Sequence, residues 1–264
     1  MRSDGTIVAR RYFPSPTPHV VIEEVTYYVD GLRVKGLLAS PVAKGRWSGL
    51  LYLRGGIQSI GTVRPARIAQ FARRGFVVFA PFYRGNRGGE GRDAFVGADR
   101  NDGIVGIEVL KQQPNVWNDR LHVIGYSRGG AMACWVGIAR EDIRSVTVWA
   151  GMSDIVATYK ERVDMRRMMK RVIGGTPNRN VRAYRDRDPL SNVYRIEAPV
   201  HIIHGARDTN VSFGQACRLE NELRAQSKQV YTTYLKRFDH FIPQMENRML
   251  VGRVTRWMKR QEMK

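Results

Sequence analysis

Cysteine is nearly absent: the 264 residues hold two, Cys134 and Cys217, with no metal-ligand spacing between them. That excludes a disulfide framework and a cysteine zinc site, and it fits a reducing, cytoplasmic setting. Cys134 reads as a small buried hydrophobe. No run of about 18 apolar residues occurs, so no transmembrane helix is expected. Residues 1–11 carry charge and lack an apolar core, so no secretory leader is expected either. Acidic residues are scarce, 24 against 44 Lys and Arg, for a formal charge of +20. Such an excess raises the question of nucleic acid or an anionic membrane. The basic residues are spread along the whole chain, however, with only short clusters such as Arg166-Arg167 and Lys170-Arg171. No helix-turn-helix, zinc finger or aromatic RNA-binding pattern accompanies them. A solvated basic surface is the favoured reading. Internal repeats and low-complexity linkers are missing too, and nothing implies a metal or a cofactor.

What is present is a core-forming composition, 43% hydrophobic, sufficient for one α/β domain. Residues 1–19 read as an irregular arm, with Pro14, Pro16 and Pro18 barring helix and central strand. Residues 20–29 and 32–39 alternate apolar and polar around Asp30-Gly31, a hairpin signal. Short apolar runs at 50–53, 76–80, 121–124, 146–150, 199–204 and 230–235 read as strands. Helical stretches at about 64–74, 102–112, 212–225 and 246–258 separate them. In the last of these, Leu250, Val254, Trp257 and Met258 share one face. Strand-helix alternation predicts a doubly wound, mostly parallel sheet with the hairpin as its antiparallel edge and ligands at the carboxyl ends of the strands. Residues 20–264 then form a single domain.

One segment breaks the alternation. Residues 155–173 are predicted helical, with Met165, Met168, Met169 and Val172 on one stripe, and Gly174-Gly175 stops the helix. It belongs to an insertion at about 152–197 that would form a small helical cap over the site. An ordinary amphipathic helix packed on the core explains the methionines equally well. Residues 84–92 form a glycine-rich loop that lacks the Gly-Lys-Ser/Thr ending of a phosphate loop, and they read as a long connection near the site.

The chemistry centres on Gly125-Tyr126-Ser127-Arg128-Gly129-Gly130, which follows an apolar run and opens a helical stretch. Strand, sharp turn and helix in that order expose a serine hydroxyl at a helix amino end, on a strained backbone that glycine neighbours make room for. A serine needs a base to take its proton. Of the five histidines, His19 lies in the arm, His122 and His201 fall inside strands, and His204 ends a strand and should support the following loop. His240 lies between the last strand and the last helix, where it can reach back over the strand ends. The imidazole needs a carboxylate to orient it. Asp208 follows the strand ending at His204 and completes the order Ser, Asp, His of an α/β-hydrolase. Asp154 is the competing choice, and Asp239, adjacent to His240, a weaker one. Oxyanion donors are expected from the backbone N–H of Arg128 and from Gly55 and Gly56, after the strand at 50–53. A simple strand-to-helix turn is the other reading of Gly55-Gly56.

Four motifs appear in order: Tyr83-Arg84-Gly85 with its glycine-rich sequel, the Gly-Tyr-Ser-Arg-Gly-Gly elbow, Ile173-Gly174-Gly175-Thr176-Pro177, and His204-Gly205-Ala206-Arg207-Asp208. From about residue 20 to the end, the chain resembles the catalytic domain of the prolyl oligopeptidase family. The resemblance implies an α/β-hydrolase fold and a metal-independent serine hydrolase acting on peptides, acylated amines or esters, with Ser127, Asp208 and His240 as triad. It is to the small, single-domain bacterial type, with no room for a β-propeller. At Arg54 prolyl oligopeptidases place a tyrosine serving the oxyanion hole, so that role does not carry over. Arg54 is left either to orient a substrate carboxylate or to form an ion pair, and Tyr126 is a further candidate substrate contact. Short-peptide cleavage is the leading activity, with hydrolysis of small esters as the alternative. A non-enzymatic binder using the basic surface is a third reading, which the filled triad positions oppose. A homo-oligomer is compatible with the sequence.

Overall fold

The computed structural model describes residues 3–263. Nine strands form one sheet in the order β1-β2-β3-β5-β4-β6-β7-β8-β9. They are β1 (Ile7–Phe13), β2 (Val20–Val29), β3 (Leu32–Pro41), β4 (Trp47–Leu53), β5 (Phe76–Pro81), β6 (Val116–Tyr126), β7 (Ser145–Trp149), β8 (Val200–Gly205) and β9 (Val230–Leu235). From β5 to the β9 edge every pairing is parallel, while β1, β2, β3 and β5 pair antiparallel. This is an α/β-hydrolase fold. Val29 pairs with Leu32, so Asp30-Gly31 is the two-residue turn that its composition signals.

The interior strands are apolar throughout because helices cover both faces. Successive residues divide between two cores: Leu51, Leu53, Val77, Phe79 and Val123 belong to one, and Leu50, Tyr52, Val78 and Ile124 to the other. On the first face lie α2 (Arg100–Lys111), α3 (Arg128–Ala139) and α7 (Phe213–Ala225); on the second lie α1 (Pro65–Ala72) and α8 (Gln244–Gln261). Leu250, Val254, Trp257 and Met258 of α8 are all buried there, as their spacing predicts.

Two local expectations change. Part of the supposed irregular arm is strand β1, which ends at Phe13, before the first proline. It occupies the sheet edge, where Arg10 and Arg11 pair with Glu23 and Glu24 of β2 and charge the margin. The helix expected over residues 155–173 is broken. It becomes α4 (Ile155–Glu161), a 3-10 turn (Val163–Met165), α5 (Arg166–Met169) and a π turn (Lys170–Gly174). The break falls at Arg162 (φ −105°, ψ 82°), whose guanidinium is drawn to Asp164 and to the Asn210 carbonyl. Beyond it come α6 (Val181–Arg185) and a 3-10 segment leading into β8.

Candidate active site

Ser127 stands between β6 and α3 with φ 57° and ψ −124°, a conformation that L-residues rarely hold. Three main-chain bonds fix it: its N–H donates to the Trp149 carbonyl, and its carbonyl accepts from Gly130 and Met152. The turn tolerates no side chains on either flank. A Cβ on Gly125 would come 1.8 Å from the Gly129 oxygen, and one on Gly129 would come 2.1 Å from the Leu53 oxygen. The consequence is a partly exposed serine at the carboxyl ends of the parallel strands.

The loop after β8 carries Asp208. Its Oδ1 accepts the N–H groups of Asn210 (2.9 Å) and Val211 (2.8 Å), while Oδ2 lies 2.8 Å from His240 Nδ1 and 3.3 Å from His204 Nε2. Burial pushes this carboxyl up, but the hydrogen bonds from His204, His240 and Val211 outweigh it and hold the group well below the usual carboxylate range. With Nδ1 engaged by a carboxylate, the His240 ring keeps Nε2 for a second partner. The Tyr126 hydroxyl donates to the His240 carbonyl at 2.8 Å, and the two rings meet at a tilt of 43° with centroids 4.9 Å apart. Asp239 ties the same two loops together by accepting from the N–H groups of Thr209 (2.8 Å) and His240 (2.6 Å). Asp154, the competing acid, caps α4 through the Ala157 N–H. His204 also bonds the Val211 carbonyl at 2.9 Å, His122 sits between Ser145 and Glu262, and His201 meets Thr233.

Gly55 lies against the serine: a Cβ there would be 2.7 Å from Ser127 Cβ and 3.3 Å from Oγ. Gly56, one residue on, turns under the Ile60 carbonyl at φ 65°. Arg54 spends its donors on main-chain carbonyls, those of Phe82 (3.1 and 2.9 Å), Gly55 (3.0 Å) and Ile60 (3.1 Å), so it braces this loop. Of the two roles open to Arg54 in the sequence, a substrate contact or an ion pair, the fold supplies a partner for the second in Asp93, 3.6 Å away.

Arg128 has a role that its sequence position does not announce. Its side chain is fully buried and pairs with Asp93, Nη1 to Oδ1, at 2.5 Å, with Asp99 3.7 Å away. The Arg54 and Arg128 guanidiniums both lie over the Tyr83 ring, 5.1 and 4.8 Å from its centroid, and its hydroxyl donates to the Arg54 carbonyl. The glycine-rich connection thus delivers Asp93 beside the loop that holds Arg54, Gly55 and Gly56. The only advance signal was the nearness of that loop to the site. Arg84 turns elsewhere, to Asp102 and Asp30.

A cleft of about 940 Å³ opens over these groups, and Ser127, His240, Gly55, Gly56, Tyr126 and Phe241 all line it. The cap contributes Arg162, Asp164, Met165 and Met168 to the wall, while Met169 is sunk in the core. The methionine stripe is therefore divided between cleft and interior. A serine on a strained turn, an imidazole oriented by a carboxylate and a glycine loop against the serine can together do acyl transfer.

A family model described as the prolyl oligopeptidase family matches residues 62–262. This chain belongs to the prolyl oligopeptidase family. It is a serine hydrolase, and the matched residues take in Ser127, Asp208 and His240 but not the Gly55-Gly56 loop. The uncharacterized peptidase YtmA of Bacillus subtilis is 51% identical over 254 residues, 96% of this chain and 99% of that protein. The uncharacterized peptidase YuxL of Bacillus subtilis is 26% identical over 82% of this chain but only 34% of its own length. Among solved structures, the acylaminoacyl peptidase of Pyrococcus horikoshii superposes with a TM-score of 0.76 at 21% identity, over 96% of this chain and 41% of that one. The acetyl xylan esterase of Paenibacillus sp. R4 also scores 0.76, at 15% identity, over 95% of this chain and 87% of that one. At such identities the last two share the fold. No helix among the described residues of this family member is long and apolar enough to cross a membrane.

Proposed function

We propose that this prolyl oligopeptidase family chain cleaves short peptides or acylated amines through an acyl-enzyme on Ser127, with His240 as general base and acid and Asp208 as its orienting carboxylate. The single observation behind this reading is the 2.8 Å contact of Asp208 Oδ2 with His240 Nδ1, in a cleft that also holds the serine. Nδ1–H donates to Asp208, so Nε2 is free to take the Ser127 proton as Oγ bonds to the substrate carbonyl carbon. The negative charge that develops on the carbonyl oxygen is met by the backbone N–H of Arg128, which as first residue of α3 has no helical acceptor, and by the Gly55-Gly56 loop. His240 then returns the proton to the departing amine. Water, deprotonated by the same nitrogen, releases the acid and restores Ser127.

The volume of the cleft suits a drug-sized ligand rather than a folded protein, which favours short substrates. Family membership and a 51% identical relative named as a peptidase favour amide cleavage. Ester cleavage is the second reading, because the same fold with comparable chain coverage occurs in acetyl xylan esterases.

A fluorophosphonate probe should label the protein and fail on Ser127→Ala, with turnover down by roughly 10⁴-fold or more. Labelling that persists in the variant would refute the assignment. Parallel assays of 4-nitrophenyl esters against aminoacyl and dipeptidyl anilides then separate esterase from peptidase.

A further inference from the structure

The cleft wall is strongly unbalanced in charge. Five arginines line it, Arg54, Arg64, Arg67, Arg128 and Arg162, against one carboxylate, Asp164. Three of the five are committed within the protein. Arg54 binds main-chain carbonyls, Arg128 binds Asp93, and Arg162 takes both oxygens of Asp164. Arg64 and Arg67, at the start of α1, have no ion pair among the described residues. Arg64 is exposed at the rim with no side-chain partner. Arg67 uses Nη1 on the Asn247 side-chain oxygen (2.6 Å) and rests its guanidinium over the Trp149 ring at 4.7 Å. Asn247 is neutral, so the Arg67 charge stays uncompensated while the indole face holds the plane of the fork. A guanidinium has five donors, and the rest of this one are available to a ligand.

Both charges line the same cleft as Ser127 and His240. The Tyr126 phenol, adjacent to Ser127 and bonded to the His240 carbonyl, feels Arg67 and Arg64. Its pKa is raised, by burial first, and the two arginines oppose that rise.

We propose that Arg64 and Arg67 make this site selective for substrates bearing a carboxylate close to the scissile bond. This rests on the hydrolase reading above and narrows it to one substrate class. A carboxylate can reach the pair from two sources, an acidic residue on the acyl side or an anionic leaving group. In either case a bidentate carboxylate–guanidinium pair on the half-enclosed wall is stronger and more directional than a neutral hydrogen bond. The net positive charge of the whole chain would also steer such substrates inward.

Three esters test this, because peptidases and esterases of this mechanism both cleave esters. They are the α-benzyl esters of N-acetylglutamine and N-acetylglutamate, and the 4-carboxybenzyl ester of N-acetylglutamine. The expected result is that kcat/KM for one of the anionic esters exceeds that of the neutral ester by about tenfold or more at low salt. That ratio should shrink at about 0.5 M NaCl and approach one in Arg64→Gln/Arg67→Gln. The single variant Arg64→Gln, which breaks no contact, should move the ratio in the same direction and guards against misfolding of the double variant. Which anionic ester is preferred identifies the side that the carboxylate occupies. Equal or faster turnover of the neutral ester, or a ratio untouched by either variant, overturns the selectivity while leaving the hydrolase intact. No turnover of any ester, with no fluorophosphonate labelling, overturns the hydrolase reading and this one with it.

Discussion

A methyl group at residue 55 would stand 2.7 Å from Ser127 Cβ, inside any contact that real atoms tolerate. Gly55→Ala must therefore push the loop off the serine, because the strained Ser127 backbone is pinned by three bonds and cannot yield. The expected outcome is a loss of kcat/KM on the order of 10²-fold, as an oxyanion donor moves out of range. Circular dichroism should stay near wild type, and full activity in this variant would show that the second donor lies elsewhere. The residues proposed for such chemistry were readable one by one. Ser127, Asp208 and His240 each sit in a loop after a strand, and each stands where the proposed acyl transfer needs it. The groups bracing them were not. Asp93 meets Arg128 across 35 residues of chain, and Arg54 answers to carbonyls that folding brings alongside it. Nothing local marks a pairing of that kind.

At the scale of elements, the cap is the clearest departure from a simple pattern. An apolar stripe with a glycine stop predicts one helix, but the chain breaks at Arg162 so that its guanidinium can reach the Asn210 carbonyl at 2.6 Å, two residues beyond Asp208. Cap and acid loop are thereby latched together. Arg162→Gln should release that latch. Amide exchange across residues 155–174 should quicken, and kcat/KM should fall by about threefold to tenfold, the range of one ordinary intramolecular hydrogen bond. Global Tm should change little, since the two cores lie elsewhere. Unchanged exchange would mean that packing of the cap alone holds it down. β1 teaches the complementary lesson. Its prolines lie after the strand, and an edge strand of only seven residues with charges at its centre carries little periodic signal.

For the whole molecule, acid stability follows from carboxylates held below their ordinary range. Asp142 is lowered to about 2, first by its hydrogen bonds with Arg140 and despite burial; Asp208 is lowered as well. Because the folded value lies below the unfolded one, near about 3.9, each such group contributes stability above the unfolded value and loses it as pH falls toward the folded value. Thermal melts of the wild type and Asp142→Asn should differ at about pH 6, and the gap should close as pH drops toward about 2. A gap constant over that span would mean that the pairing with Arg140 adds nothing to stability, as exposed pairs often do not. By itself the sequence determined the strands from β2 onward, the helices that cover the sheet, its mostly parallel order and the loops in which Ser127, Asp208 and His240 lie, because hydrophobic periodicity and turn chemistry are local properties. Only the tertiary structure decided which arginines are spent on their neighbours and which face the cleft with their charge unanswered. A guanidinium is committed or free according to groups that the fold gathers from distant parts of the chain, and no local pattern records who those neighbours will be.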